Sequence, residues 1–170
     1  MKSYTTDYIG IIRTPFTELQ GMPIQPTGAQ DIIGEVIVHP ELAEGLQDLD
    51  GFSHIYLIYH LHKVVDTRLT VIPFMDTVPR GVFATRAPVR PSRLGLSIVE
   101  LLEMEENRLT VRGVDMLDGS PLIDIKPYIV AFDCPASATS GWMTATRTDV
   151  GSKHADDRFI EKKVLRKADK

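Results

Sequence analysis

Eight short apolar runs, each closed by Gly, Pro, Asp or Asn, commit this chain to a sheet. They cover residues 8–13, 34–39, 54–62, 69–74, 81–85, 95–104, 108–115 and 122–130. The residues that close them supply turn dihedrals. Many short strands with close turns predict a barrel or a sandwich. Glu106-Asn107 lies between two runs and predicts a hairpin turn. Helical signal is scarce. Residues 40–49 put Leu42, Leu46 and Leu49 on one side of about three turns, with Pro40 suited to the first. A second helix is expected over 152–167, capped by Ser152, with Ile160 and Val164 sharing a face. The Ser-, Thr- and Ala-rich stretch 135–151 reads as a loop or arm.

A chain of 170 residues suits one domain, and its size leaves modest room for self-burial, which favours association. A net charge of −4 argues against coating nucleic acid through general charge, while leaving room for a local basic face. Cys134 is the one cysteine, so no disulfide within the chain and no cysteine-based zinc site can form. With no cationic helix start beside it, it reads as a quiet loop residue. No run is long or apolar enough for a signal peptide or a membrane span. A cytoplasmic protein with no membrane partner is the expectation.

Three constellations carry chemistry. Along 54–62, a period of two puts His54, Tyr56, Ile58, His60 and His62 on one face, and Ile55, Leu57, Tyr59 and Leu61 on the other. Of the three histidines only His60 and His62 are near enough to share a zinc ion, and no further ligand is evident. Hydrogen-bonded core or pocket histidines are the alternative, and no metal is expected. The second constellation sets Arg86, Arg90 and Arg93 among Pro88 and Pro91. Proline fixes φ and removes donors, so this is a stiff loop presenting guanidinium groups, which match carboxylate or phosphate. A solvated loop with incidental charge is the plainer reading. The third is the turn from Asp115 through Leu117, Asp118, Gly119 and Ser120 to Pro121. It is either only a turn or a tight loop whose free backbone groups and carboxylates meet a polar ligand. Asp124, Lys126 and Tyr128 alternate onto one face of the next run, which is otherwise a polar outward face.

No GxGxxG follows a strand, no Walker loop occurs, and no GxSxG is present. A Rossmann-type domain or nucleotide kinase is disfavoured. The residues alone describe a β-rich domain with a stiff cationic loop beside acidic turns, which implies a site for a small molecule with an anionic part.

Four ordered stretches add to this: IGIIRTPF, GFSHIYLIYHLH, GVFATRAPVRP with GLS after it, and GVDMLDGSPLIDIKPYI. Together, over residues 8–133, they resemble the TsaA-like, or TrmO, family of methyltransferases. The resemblance implies a mainly β fold, a small β-barrel with few short helices that works as a homodimer. With the residue pattern read above, the expected organisation is a domain over 1–133, followed by an arm and short basic helix over 134–170. The resemblance implies S-adenosyl-L-methionine as methyl donor and N6 of threonylcarbamoyladenosine at position 37 of tRNA as acceptor, so the tRNA anticodon loop becomes the expected partner. Carried over by position, the donor contacts are Pro23, Ile24, Gln25, His62, Lys63, Arg86, Leu96, Leu117, Asp118, Gly119 and Ser120.

The family's usual Arg-Pro-Asn-Pro appears here as Arg90-Pro91-Ser92-Arg93, and its Pro-Arg-Gln as Pro23-Ile24-Gln25. These departures leave the donor site intact and open the acceptor to alternatives: another small or protein-borne acceptor, or a binding module without catalysis. The expected reaction is an in-line displacement in which the protein aligns the partners. Asp118 is the first choice of base and Asp115 the second. Arg90 and Arg93 are expected to receive an acceptor carboxylate or phosphate, with Lys126 and Tyr128 as further acceptor contacts.

Overall fold

The computed structural model describes residues 5–159. Six antiparallel strands close a barrel in the order β1-β2-β7-β6-β3-β8. They are β1 (Gly10–Arg13), β2 (Ile33–Val38), β3 (His54–His60), β6 (Leu94–Glu105), β7 (Arg108–Arg112) and β8 (Ser120–Pro127). A two-stranded ribbon of β4 (Thr70–Val71) and β5 (Arg80–Gly81) stands apart. Closure leaves the barrel no exposed edge. Among the described residues no helix is long and apolar enough to cross a membrane.

The period of two decides what lies inside. Ile55, Leu57 and Tyr59 of β3 are buried while His54, Tyr56, Ile58 and His60 face outward. Ile12, Val36, Leu109, Val111, Val114, Met116 and Leu122 complete the core with them. Each such side chain contributes roughly 1.5–3 kcal/mol by leaving water. A smaller cluster of Val64, Val71, Val82, Ala87 and Val89 packs under the loops, with Leu61 and Phe159 against it.

Several expected elements change shape. The run at 81–85 pairs only through Arg80–Gly81 and then winds into a 3₁₀ turn, Val82–Ala84. Its partner strand stops at Val71, just before Ile72-Pro73, where proline lacks an N–H. The run at 108–115 stops as a strand at Arg112 because Gly113 takes a positive φ of 94°, which turns the chain inward. The run at 122–130 ends at Pro127, and Val130–Asp133 forms one turn of helix, α1.

The helix expected over 40–49 is a 3₁₀ segment, Pro40–Leu46, then a 3₁₀ turn, Leu49–Gly51, broken by Asp48 at φ 62°. Leu46 is buried and Leu49 packs on the core, but Leu42 is exposed. Ser152 does not start a helix. It closes α2 (Arg147–Gly151), which is capped by Thr146: its hydroxyl accepts from the Asp149 N–H while Asp149 accepts from the Thr146 N–H. Residues 160–167, with Ile160 and Val164, lie outside the described residues. The Glu106-Asn107 hairpin forms as expected, with Glu106 at φ 51° and the Asn107 amide donating to the Val38 carbonyl.

The arm folds back on the domain. Pro23 bridges His154, the Gly21 N–H donates to the Ala155 carbonyl at 2.9 Å, and the Ala155 N–H returns to the Met22 carbonyl at 2.8 Å. The Arg158 guanidinium donates to the Pro73 carbonyl at 2.7 Å, pairs with Asp156, and lies 4.8 Å over the Phe74 ring.

Candidate functional site

At one end of the barrel a cavity of about 910 Å³ opens between the N-terminal loop, the loops after β3 and β5, the turn before β8, and the arm. That is near the upper end for a small-molecule site, about 300–1,000 Å³.

Its floor is built by strand pairing. Tyr59 of β3 sits directly across from Gly95 of β6, and Leu57 across from Ser97. Both Gly95 and Ser97 point inward. A Cβ on Gly95 would fall 2.3 Å from the Tyr59 ring, so only glycine leaves room for that ring. The phenol thereby reaches the diagonal neighbour, Ser97, at 3.2 Å. Ser97 in turn donates to Asp115 Oδ1 at 2.6 Å. Asp115 arrives there because the chain turned inward at Gly113. Burial raises the Asp115 carboxyl to about 6, against the opposing pull of the Ser97 hydrogen bond, its own backbone N–H and Arg86. Burial likewise drives the Tyr59 phenol far up, so it stays a donor.

At the mouth, Arg86 is exposed and donates to Gln25 Oε1 at 2.5 Å, and it has no carboxylate partner among the described residues. Arg90 is half-buried and holds the loop by donating to the Thr85 carbonyl at 3.2 Å. Burial, with Lys63 and His60 nearby, pushes the His62 imidazole below its ordinary value, so it is neutral at pH 7. His60 instead meets the Tyr8 hydroxyl through Nδ1 at 2.7 Å on the outer face. Among the described residues no three His, Cys, Asp or Glu side chains gather as metal ligands.

Pro23, Ile24, Gln25, His62, Lys63, Arg86, Arg90, Leu96, Asp115, Leu117 and Ser120 all line the cavity. Five expected residues do not. Gly119 takes φ 72° to close the acidic turn, with its N–H on the Ile12 carbonyl. Asp118 faces β1: it accepts from the Thr14 N–H at 3.1 Å and from Arg13 at 3.4 Å. Arg93 has φ 50°, donates its N–H to the Arg90 carbonyl and its guanidinium to the Val65 carbonyl at 2.6 Å. It braces the loop. Lys126 pairs with Asp124 at 2.8 Å on the outside of the barrel, and Tyr128 packs there on Tyr56 and His54.

Sequence reasoning missed Tyr59, Ser97, Phe83 and the arm residues Trp142 and Met143, all of which line the cavity. Parity grouped Tyr59 with Ile55, Leu57 and Leu61 without saying which face is inward, and in β6 the inward face proves to be Gly95-Ser97-Val99 rather than the more apolar Leu94-Leu96-Ile98. No local pattern marks Ser97. Nothing in the sequence pattern brings Trp142 near Ala84, whose carbonyl accepts from its indole N–H at 2.8 Å.

A closed antiparallel barrel with an acid-floored cavity and a cationic mouth defines a class of small-molecule-binding domain outside the doubly wound fold. The chain belongs to the tRNA-methyltransferase O family, whose N-terminal domain model matches residues 11–134. A probable S-adenosyl-L-methionine-binding protein of Pyrococcus abyssi is 48% identical over 152 residues, covering 89% of this chain and 83% of that protein. The tRNA (adenine(37)-N6)-methyltransferase of Escherichia coli is 31% identical over 176 residues, covering 97% and 74%. The crystal structure of TrmO from Pseudomonas aeruginosa superposes with a TM-score of 0.70 at 35% identity, over 83% of this chain and 63% of that one.

Proposed function

We propose that this chain methylates N6 of adenine 37 of tRNA, with threonylcarbamoyladenosine as the acceptor and S-adenosyl-L-methionine as the donor. Its family relatives include an enzyme named for adenine-37 N6 methylation and proteins named for binding that donor. The observation that carries the reading is a basic carboxylate, Asp115, at the floor of a cavity whose mouth holds Arg86, which has no carboxylate partner among the described residues.

The residues present fit the donor. Arg86, presented by its stiff loop and by Gln25, suits an α-carboxylate through charge-assisted hydrogen bonds. Pro23, Ile24, Leu96 and Leu117 supply apolar walls, and His62, Lys63 and Ser120 supply polar contacts. The donor supplies a methyl group on a cationic sulfur that leaves as a neutral thioether. Asp115 takes the proton that the acceptor nitrogen gives up as the new C–N bond forms. A carboxyl near 6 is ionised at pH 7 yet basic enough to hold that proton. Asp118 is held by Thr14 and Arg13 outside the cavity, so Asp115 takes first place as base. Arg90 at the cavity wall remains the acceptor contact, since Arg93, Lys126 and Tyr128 point elsewhere.

We propose further that two copies pair through the outer face of β6. Leu94, Leu96 and Ile98 are exposed there beside Ile58 and Tyr56 of β3, and Leu94 and Leu96 also line the cavity. Pairing on that stripe would complete the cavity wall. Transfer of labelled methyl from donor to tRNA, with and without the threonylcarbamoyl group, tests the acceptor. Label in neither tRNA, with donor still bound, leaves a binding module.

A further inference from the structure

We propose that Ser97 and Tyr59 are positioning residues that hold the Asp115 carboxylate, through one continuous chain of hydrogen bonds, as the acceptor for the proton lost from the methylated nitrogen. This rests on the reading of Asp115 given above. Three strands or strand ends, β3, β6 and the turn after β7, bring a phenol, a hydroxyl and a carboxylate to one point. Packing does not require them. The interior around them is apolar, and Ser97 and Ser120 are the buried polar side chains among the described residues. Phenylalanine and alanine would fill the same space without the cost of burying polar atoms. What they would lose is the grip on Asp115.

The direction of the chain is fixed by chemistry. An ionised carboxylate only accepts, so Ser97 donates to Asp115 and Tyr59 donates to Ser97. Gly95 holds the Tyr59 ring where its hydroxyl meets Ser97. The charged or titratable groups that bear on Asp115 are Tyr59 from β3 and Arg86 from the mouth loop. A carboxylate has about four lone-pair sites, and Ser97 and its own backbone N–H use two. The remaining capacity faces the cavity. When Asp115 takes the proton, the C–N bond forms and the S–C pair stays on sulfur. Cationic sulfur and carboxylate both become neutral, so charge balances. Neither Tyr59 nor Ser97 loses a proton, and Asp115 returns its own to water through the open mouth.

The test is a ¹³C NMR titration of the Asp115 carboxyl in the full chain, without donor or acceptor. Ser97→Ala should raise the midpoint by about half a unit to one unit, because a bond that favoured the charged form is gone. Tyr59→Phe should raise it less, and Ser97→Thr, which keeps the hydroxyl, should restore it. The acid limb of the pH–kcat profile should move by the same amounts, with donor affinity within about twofold. An unmoved midpoint in Ser97→Ala overturns the proposal, as does a Ser97→Thr variant that behaves like Ser97→Ala. The titration needs no acceptor, so it stands apart from whether tRNA is methylated.

Discussion

The ring of Tyr59 lies flat against Gly95, close enough that a Cβ there would sit 2.3 Å from two of its carbons. The two residues face each other across β3 and β6, so neither can shift without moving the barrel. Gly95→Ala must therefore push the phenol off Ser97. Overpacking of this kind costs about 1–3 kcal/mol. Chemical denaturation should show that loss, and methyl transfer should fall with it. An alanine variant of unchanged stability would mean that Tyr59 has another place to go.

Asp115 makes stability depend on pH with a definite sign. Its carboxyl stands near 6 in the folded chain against an ordinary 3.8, because burial disfavours the charge. The folded state then binds more protons than the unfolded one between those values, so stability falls as pH rises from about 4 to about 6. Asp115→Asn removes that dependence. It should match the wild type below pH 4 and exceed it above pH 6 by up to about 3 kcal/mol. The same variant should lose methyl transfer. Denaturation midpoints across this pH range check the first claim, and equal midpoints at pH 7 would refute it.

Arg86 should carry much of the donor affinity. Arg86→Ala is expected to weaken donor binding by roughly 1.5–3 kcal/mol, the range for hydrogen bonds to charged groups. Gln25→Ala, which only frees the guanidinium from its 2.5 Å partner, should weaken it less. Calorimetry with S-adenosyl-L-methionine measures both, and an Arg86→Ala affinity equal to wild type would move the carboxylate contact to another group.

Arg93 shows how a substitution read from sequence alone misleads when the backbone angle is unknown. Set beside a family proline, it looks like an added charge for the acceptor. Its φ of 50° is one that proline cannot adopt, and its N–H is spent on the Arg90 carbonyl. Arg93→Pro should thus destabilise the loop and lower donor and acceptor binding together. Arg93→Asn, which tolerates positive φ, should keep the fold and lose only the bond to Val65. Thermal melts of the two variants should separate clearly, and melts that coincide would show the loop to be indifferent to that angle.

Short strands and turn residues made a barrel or sandwich legible, and the family resemblance chose the barrel. Alternation along His54–His60 separated the two faces, though it left open which one is inward, and the turn residues located all six barrel strands. Local pattern also marked Arg86 and Asp115, while Gln25 came only through the family resemblance. Two kinds of information were absent. One is register: Ser97 matters because β6 pairs with β3 so that Ser97 opposes Leu57, and no local property of either strand states that. The other is the path of an irregular arm, fixed by single hydrogen bonds such as Trp142 to Ala84. Asp118 ranked ahead of Asp115 in the sequence, where both are acids in one turn, and the structure reverses that order. Gly113 and Gly119, with positive φ, send Asp115 inward and Asp118 toward Arg13 and Thr14.

The arm should dock less firmly when Trp142 is removed. The Trp142 indole donates to the Ala84 carbonyl at 2.8 Å, and the Arg80 guanidinium lies 5.4 Å from its ring centre. A hydrogen bond of this kind contributes about 1 kcal/mol net, and an exposed cation–π contact about 0.5–1 kcal/mol. Trp142→Ala loses both, so the arm's docking should weaken by about 1–2 kcal/mol, or roughly five- to thirtyfold. The Gly21 and Ala155 amides, whose bonds tie the arm to the N-terminal loop, should then exchange with solvent faster by that factor. Barrel amides such as Leu57 and Val111 should keep their rates. Donor affinity should fall as well, because Trp142, Met143 and Thr146 wall the same cavity as Pro23 and Ile24. Trp142→Phe keeps a ring for Arg80 and drops only the hydrogen bond, so it should lie between the two. If Gly21 and Ala155 exchange no faster in Trp142→Ala, the arm is held without Trp142, by its bonds to Gly21 and Met22 and by Arg158 and Phe159, and Trp142 serves the ligand rather than the fold.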